Sequence, residues 1–167
     1  MDVTLSIPCV TIKDSQAISR SNMQQMLLSG VENVFVVDID AINRNRYNFK
    51  IYQELSKYFE ITVMSLPLRV EDLMDSYISG ASEVVIPGRI SQKLLEEYMR
   101  TSESLVLLYQ DPYVAQAYYL LGGRTFVSDR QLDFNNARIY SFSKILKGPG
   151  YITLTDFPAD ELGSILR

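Results

Sequence analysis

Short, strongly apolar runs alternate with longer amphipathic stretches that stop at glycine, and this alternation constrains the chain more than any single motif does. The runs cover residues 3–12, 34–39, 61–66, 83–86, 104–109, 125–128 and 151–155. Several are continuous rather than alternating, as in Val34-Phe35-Val36-Val37. A strand that is apolar on both faces must be covered on both, which is the condition of a parallel sheet flanked by helices.

The stretches between the runs read as helices. Residues 22–29 place Met23, Met26 and Leu27 on one stripe and stop at Gly30. Residues 48–59 carry Ile51, Leu55, Tyr58 and Phe59 on one face, and residues 70–79 carry Leu73, Met74, Tyr77 and Ile78 before Gly80. Ser91 is placed to cap a helix over 92–99, and Asp111 followed by Pro112 to start one over 113–121. Residues 136–146 have Ile139, Phe142 and Leu146 at helical spacing, although the same segment also fits an extended run over 138–142. A short helix over 159–166 closes the chain. The strand–helix unit repeats every ~20–25 residues, long enough for right-handed parallel crossovers. The expectation is one α/β domain over residues 1–167, with seven strands, or eight if 138–142 is extended. A closed barrel and an open doubly wound sheet both satisfy the pattern.

Composition narrows the chemistry. The chain has no histidine, which removes the commonest general base and the commonest transition-metal ligand. Acid–base work would fall to Asp, Glu, Lys, Tyr or the single cysteine, Cys9, which sits in an apolar run and reads as inert core. No metal or other cofactor is expected. The formal net charge of −4 argues against nucleic acid as the main partner. Neither a signal-peptide pattern nor an apolar run of 18 residues is present, so a cytoplasmic protein without a membrane span is expected.

Asp38 and Asp40 stand out at the end of the second run. In parallel α/β folds the C-terminal strand ends carry the functional groups, and residues two apart on a strand share a face. Both carboxylates are therefore candidates for the same mouth, as a general base, a hydroxyl acceptor or a weak cation site. The competing reading is that they cap the following loop and accept from Arg44 or Arg46, since two buried carboxylates need partners.

Val36-Val37-Asp38-Ile39-Asp40-Ala41-Ile42, with Asn43, Asn45 and Asn48 nearby, resembles the second-strand motif of the HisA/HisF-type histidine-biosynthesis barrels. Glu71-Asp72-Leu73, Gly80-Ala81 and Val84-Val85-Ile86-Pro87-Gly88 are similar to that family's third helix and fourth strand, and Ile7-Pro8-Cys9-Val10 to its first strand. The likeness is best over residues 3 to 100 and weak beyond them. It implies a TIM-barrel-like (β/α) fold, compact and potentially incomplete, since such barrels typically need about 250 residues. It also implies a phosphoribosyl-type ligand and an Amadori-type sugar-phosphate isomerisation.

The resemblance carries its own exceptions. The family's strand-one acid falls on Thr11, and its strand-five acid on Gln110, or on Asp111 if the register slips by one. The run at 61–66 is followed by Pro67 with no glycine, Pro87 precedes Gly88, and Asp129 and Asp156 stand where phosphate-binding loops are expected. The catalytic candidates are thus Asp38, Asp40 and Asp111. The ligand-binding candidates are Thr11, Lys13, Asn48, Gly88 and Arg89, with each of Asp111, Thr11, Lys13 and Arg89 also open to a plain capping or surface role. A diverged homologue of the isomerases that lacks their full activity is expected. The alternative is a non-catalytic metabolite-binding or scaffold protein, as a homo-oligomer in one form.

Overall fold

The computed structural model describes residues 5–19 and 22–166. The expected start of the first strand at Val3 lies outside the described residues. Strand β1 (Leu5–Lys13) turns back on itself through the short antiparallel β2 (Gln16–Ile18). Seven more strands follow, β3 parallel to β1 and each later one parallel to its predecessor: β3 (Asn33–Asp38), β4 (Glu60–Met64), β5 (Glu83–Ile86), β6 (Leu105–Leu108), β7 (Thr125–Ser128), β8 (Arg138–Ser141) and β9 (Tyr151–Thr155). Strand β9 pairs back onto β1, from Leu5↔Ile152 to Pro8↔Thr155. The result is a closed parallel barrel of eight strands, with β2 as an arm outside the ring.

Helices α1 (Met23–Leu28), α2 (Ile39–Arg44), α3 (Phe49–Ser56), α4 (Val70–Ile78), α5 (Gln92–Thr101) and α6 (Pro112–Leu120) follow the early strands. The cover is uneven. No helix joins β7 to β8 or β8 to β9, and the last helix, α7 (Ala159–Leu162), continues as a 3-10 turn over Gly163–Leu166. Among the described residues no helix is long and apolar enough to cross a membrane.

The continuous apolar runs are explained by two separate cores. Cys9, Phe35, Val37, Met64, Val85, Val106, Leu108 and Val127 form the barrel interior. The alternate residues, among them Val10, Val34, Val36, Val63, Ile86 and Leu107, pack against Tyr52, Leu55, Leu73, Leu95 and Tyr118 of the helices. Phe35, Val36 and Val37 are all fully buried, on opposite faces in turn.

Several sequence-based expectations need correction. The helix over 136–146 is instead strand β8, in register with β7 and β9, so the extended reading of that segment holds. Asn136 has φ 60°, which ends any helical path there, and Tyr140 enters the barrel while Ile139 faces outward. In α4, Met74 and Ile78 are exposed, and the buried side is Leu73 with Ser76. In α3 the core face is Tyr52 and Leu55, with Tyr58 exposed. The closing helix breaks after Leu162, where Gly163 has φ 46°.

Candidate functional site

Asp38 ends β3 and caps α2, accepting from the Ala41 N–H at 3.1 Å. Asp40 therefore lies in the first turn of α2, not on the strand, and the two carboxylates do not share a strand face. Asp38 follows Val34 and Val36 in register, so it points to the helix layer rather than into the barrel. There it accepts from the Asn48 N–H at 3.0 Å, from Asn48 Nδ2 at 2.8 Å and from the Tyr52 hydroxyl at 2.5 Å. Burial pushes the Asp38 carboxyl up, and these donors only partly offset it. Burial followed by the Asp38 charge pushes the Tyr52 phenol up as well.

Asp40 serves a different partner. Its oxygens accept from the backbone N–H groups of Asp14 and Ser15, each at 2.9 Å, and from Asn48 Nδ2 at 3.0 Å. Asp14 and Ser15 have φ 51° and 60°, the two left-handed positions of a tight two-residue hairpin turn between β1 and β2. Burial raises the Asp40 carboxyl, but the bonds from Ser15, Asn48 and Asp14 and the charge of Arg44 outweigh it, and the group sits below its ordinary range. Asn48 thus bridges both carboxylates, and the cluster fastens the hairpin, α2 and α3 to the end of β3. The capping reading of this pair describes the geometry, with Asp14, Ser15, Asn48 and Tyr52 as donors in place of Arg44 and Arg46. Arg44 instead pairs with Asp14 at 3.7 Å.

Asp111 caps α6, accepting from the Tyr113 N–H at 2.8 Å. Gly88 is buried at the end of β5, where its N–H donates to Gln110 Oε1 at 2.8 Å. A Cβ there would lie 1.8 Å from the Leu108 carbonyl oxygen, so strand packing accounts for this glycine. Arg89 is exposed at the rim beside it. Thr11, half-buried, continues the inward-facing series of Cys9. Lys13 pairs with Glu161 at 2.9 Å on an exposed edge.

The mouth formed by the strand C-termini is occupied by the chain itself. Leu162 is only 3% exposed and joins the barrel-interior cluster with Met64, Leu66 and Leu154, while Phe157, Ile165 and Leu166 pack against it. Phe157 stacks on Phe142 at 4.7 Å and lies 6.2 Å from Phe35. Gln110 Nε2 donates to the Ile165 carbonyl at 2.7 Å. The candidates Thr11, Lys13, Gly88 and Asp111 all stand at strand ends around this mouth, but Asp38 is turned outward to the helix layer and Asp111 is committed to its helix, so these two carboxylates do not face each other across it.

The opposite end of the barrel holds a polar cluster that sequence reading missed. Glu83 accepts from Thr62 Oγ1 at 2.8 Å, from the Tyr140 hydroxyl and from Arg138. Burial, then the Glu83 charge, pushes Tyr140 up to about 12. These residues line a cavity of about 500 Å³ at the strand N-termini. The helical-looking spacing of Ile139, Phe142 and Leu146 hid the inward register of Arg138 and Tyr140. Among the described residues, no group of three or more Asp, Glu, Cys or His side chains is gathered to hold a metal ion. No protein-family model matches this chain, and no curated protein matches it.

Proposed function

We propose that the chain is a diverged barrel of the histidine-biosynthesis sugar-phosphate isomerase type that has lost the family's full activity and serves as a non-catalytic binding or scaffold protein. The observation that carries this reading is the closure of the mouth by residues 157–166, anchored by Leu162. A phosphoribosyl-type ligand would need that space. Burying one leucine side chain stabilises by about 1.5–3 kcal/mol, so opening the mouth would forfeit that and the contacts of Phe157 and Ile165 as well.

The acid–base requirement is unmet in the same place. Thr11 stands where the resemblance expects a carboxylic acid, and the Asp111 carboxylate is held by a backbone N–H. Asp38 and Asp40 are the best-kept part of the family motif, and their bonds serve the hairpin and the helix layer.

The test is complementation of a histidine auxotroph that lacks the isomerase. Neither the full chain nor a version stopped after Asp156 is expected to restore growth. Growth with the full chain would overturn the reading. Growth with the shortened chain alone would mean that the segment is a lid over a working site, and would overturn it equally.

A further inference from the structure

Helices α1 and α3 to α6 run between successive parallel strands along the outside of the barrel, and one seam has no such helix. Strand β9 closes onto β1, but α7, which follows β9, turns over the mouth instead of lying on that seam. Two cavities adjoin there. One of about 650 Å³ lies against α1, the other of about 460 Å³ lies against the loop over residues 142–150, and they share Ser6 and Thr155. Together they form a groove floored by Ser6, Pro8 and Thr155 and walled by α1 and the loop.

The groove has the length and the chemistry of a vacant helix seat. The five residues of β9 span about 16 Å, and a helix of nine residues such as α4 is about 14 Å long. Leu28, 82% exposed, lines the groove from α1, and Ile145, 89% exposed, stands on the loop opposite. Lys144 and Lys147 flank Ile145, line the groove and form no ion pair with any described residue. Asp156 also lines this half, but two lysines against one carboxylate leave it net positive.

Charge selects the occupant. The same groove on a second copy would set lysines against lysines. Among the described helices, only α4 combines exposed apolar side chains with unpaired acids on its outer face. Glu71, Met74, Asp75 and Ile78 recur there at helical spacing and are all exposed, Met74 by 48% and Ile78 by 77%. Neither Glu71 nor Asp75 forms an ion pair with any described residue. The outer face of α5 carries Lys93, Glu97 and Arg100 without an apolar side chain, and that of α6 carries Tyr113 and Leu120 without a charge.

We infer that the groove takes α4 of a second copy of this chain, with Met74 and Ile78 against Leu28 and Ile145, and Glu71 and Asp75 against Lys144 and Lys147. An amphipathic helix laid in an apolar groove is a common recognition mode, and the opposed charges set its orientation. The groove lies on the β9–β1 seam and α4 lies between β4 and β5, so the contact is head-to-tail. Each copy in a pair then keeps one free groove and one free helix, and the assembly grows as a ring or an open chain. A single helix in a groove makes a small interface, below about 1,200 Å², so the association depends on concentration. It does not rest on whether the barrel mouth is active.

The test is sedimentation velocity of the intact protein at rising concentration, with two charge-reversed variants. The parent should form species larger than a monomer that dissociate on dilution. Glu71→Lys with Asp75→Lys should be monomeric alone, and so should Lys144→Glu with Lys147→Glu, because each sets like charges against one another. All four positions are exposed, so both variants should unfold thermally where the parent does. Mixing the two should restore the larger species, since the reversed charges are again opposite. Ile78→Ser, which leaves every charge in place, should weaken association by about tenfold or more. A parent that stays monomeric at every concentration would overturn the assignment and leave the groove to a different protein. Association that survives in the α4 variant would mean groove-to-groove pairing, and association that survives in the lysine variant would mean pairing between α4 helices. Either of these, or a mixture that stays monomeric, would overturn it equally.

Discussion

The side-chain amide of Gln110, just past β6, donates to the main-chain carbonyl of Ile165 at 2.7 Å. One end of that amide holds the last turn of the chain, and the other end, Oε1, accepts the Gly88 N–H from the neighbouring strand end at 2.8 Å. The rim of the barrel is therefore tied directly to the segment that fills its mouth. Leu162, Phe157 and Ile165 make that segment part of the interior core rather than an appended tail.

If the segment is core, Leu162→Ala should behave like any large-to-small core change and cost about 2–4 kcal/mol in urea unfolding. Lys13→Ala, which removes only the exposed bond to Glu161, should leave the unfolding midpoint where it is. Equal effects from the two variants would mean that the segment rests on its surface charges and not on its apolar side chains.

Asp40 predicts an acid-dependent hairpin. Its folded carboxyl titrates below the unfolded value of about 3.9. Its contribution is therefore complete above that value and is lost as the pH falls through the lower folded one. Asp40→Asn should lower stability at pH 7 by about 1.5–3 kcal/mol, the range for hydrogen bonds to a charged group. It should also shrink the difference in stability between pH 7 and pH 3. An unchanged pH profile would show that the bonds from Asp14 and Ser15 do not depend on charge.

Asp38 carries the opposite sign. Its folded carboxyl is raised, first by burial, so its contribution falls as the pH rises from about 3.9 toward the folded value. The Tyr52 hydroxyl opposes that rise by bonding the charged form. Tyr52→Phe should therefore cost more at pH 7 than at pH 4, by chemical denaturation at both. A cost that is the same at the two values would contradict the assignment of Tyr52 as a donor to the ionised carboxylate.

Gly88→Ala should destabilise by about 3 kcal/mol, because the new Cβ would meet the Leu108 carbonyl, a backbone atom that cannot turn aside. Thermal unfolding reads this directly. A neutral result would return Gly88 to the ligand-binding candidates.

Much of this architecture is legible in the sequence. Continuous apolar runs such as Val34-Phe35-Val36-Val37 announced strands covered on both faces, and Ser91 and Asp111 marked two helix starts by their capping chemistry. The bond patterns of Asp38 and Asp40 were harder to foresee. Whether a carboxylate at a strand end faces the barrel or the helices depends on register, and α2 begins one residue after Asp38, inside what reads as a strand. Strand β8 was obscured because four residues with Ile139 and Tyr140 on opposite faces fit a helical period as readily as an extended one. The closing segment reads as one short helix over 159–166, which the structure splits after Leu162, and nothing local in residues 157–166 says that their partner is the barrel mouth rather than its wall. Such partners are fixed by tertiary packing, which short-range patterns do not encode.

The filled mouth is tested most directly by nuclear magnetic resonance of the intact protein titrated with ribose 5-phosphate, following the amides of Thr11, Lys13, Gly88 and Gln110. With residues 157–166 in place, these four signals should stay where they are at saturating ligand. Saturable shifts at Thr11 and Gly88, together with displacement of the Leu162 signals, would show that a sugar phosphate enters the mouth and would contradict the account.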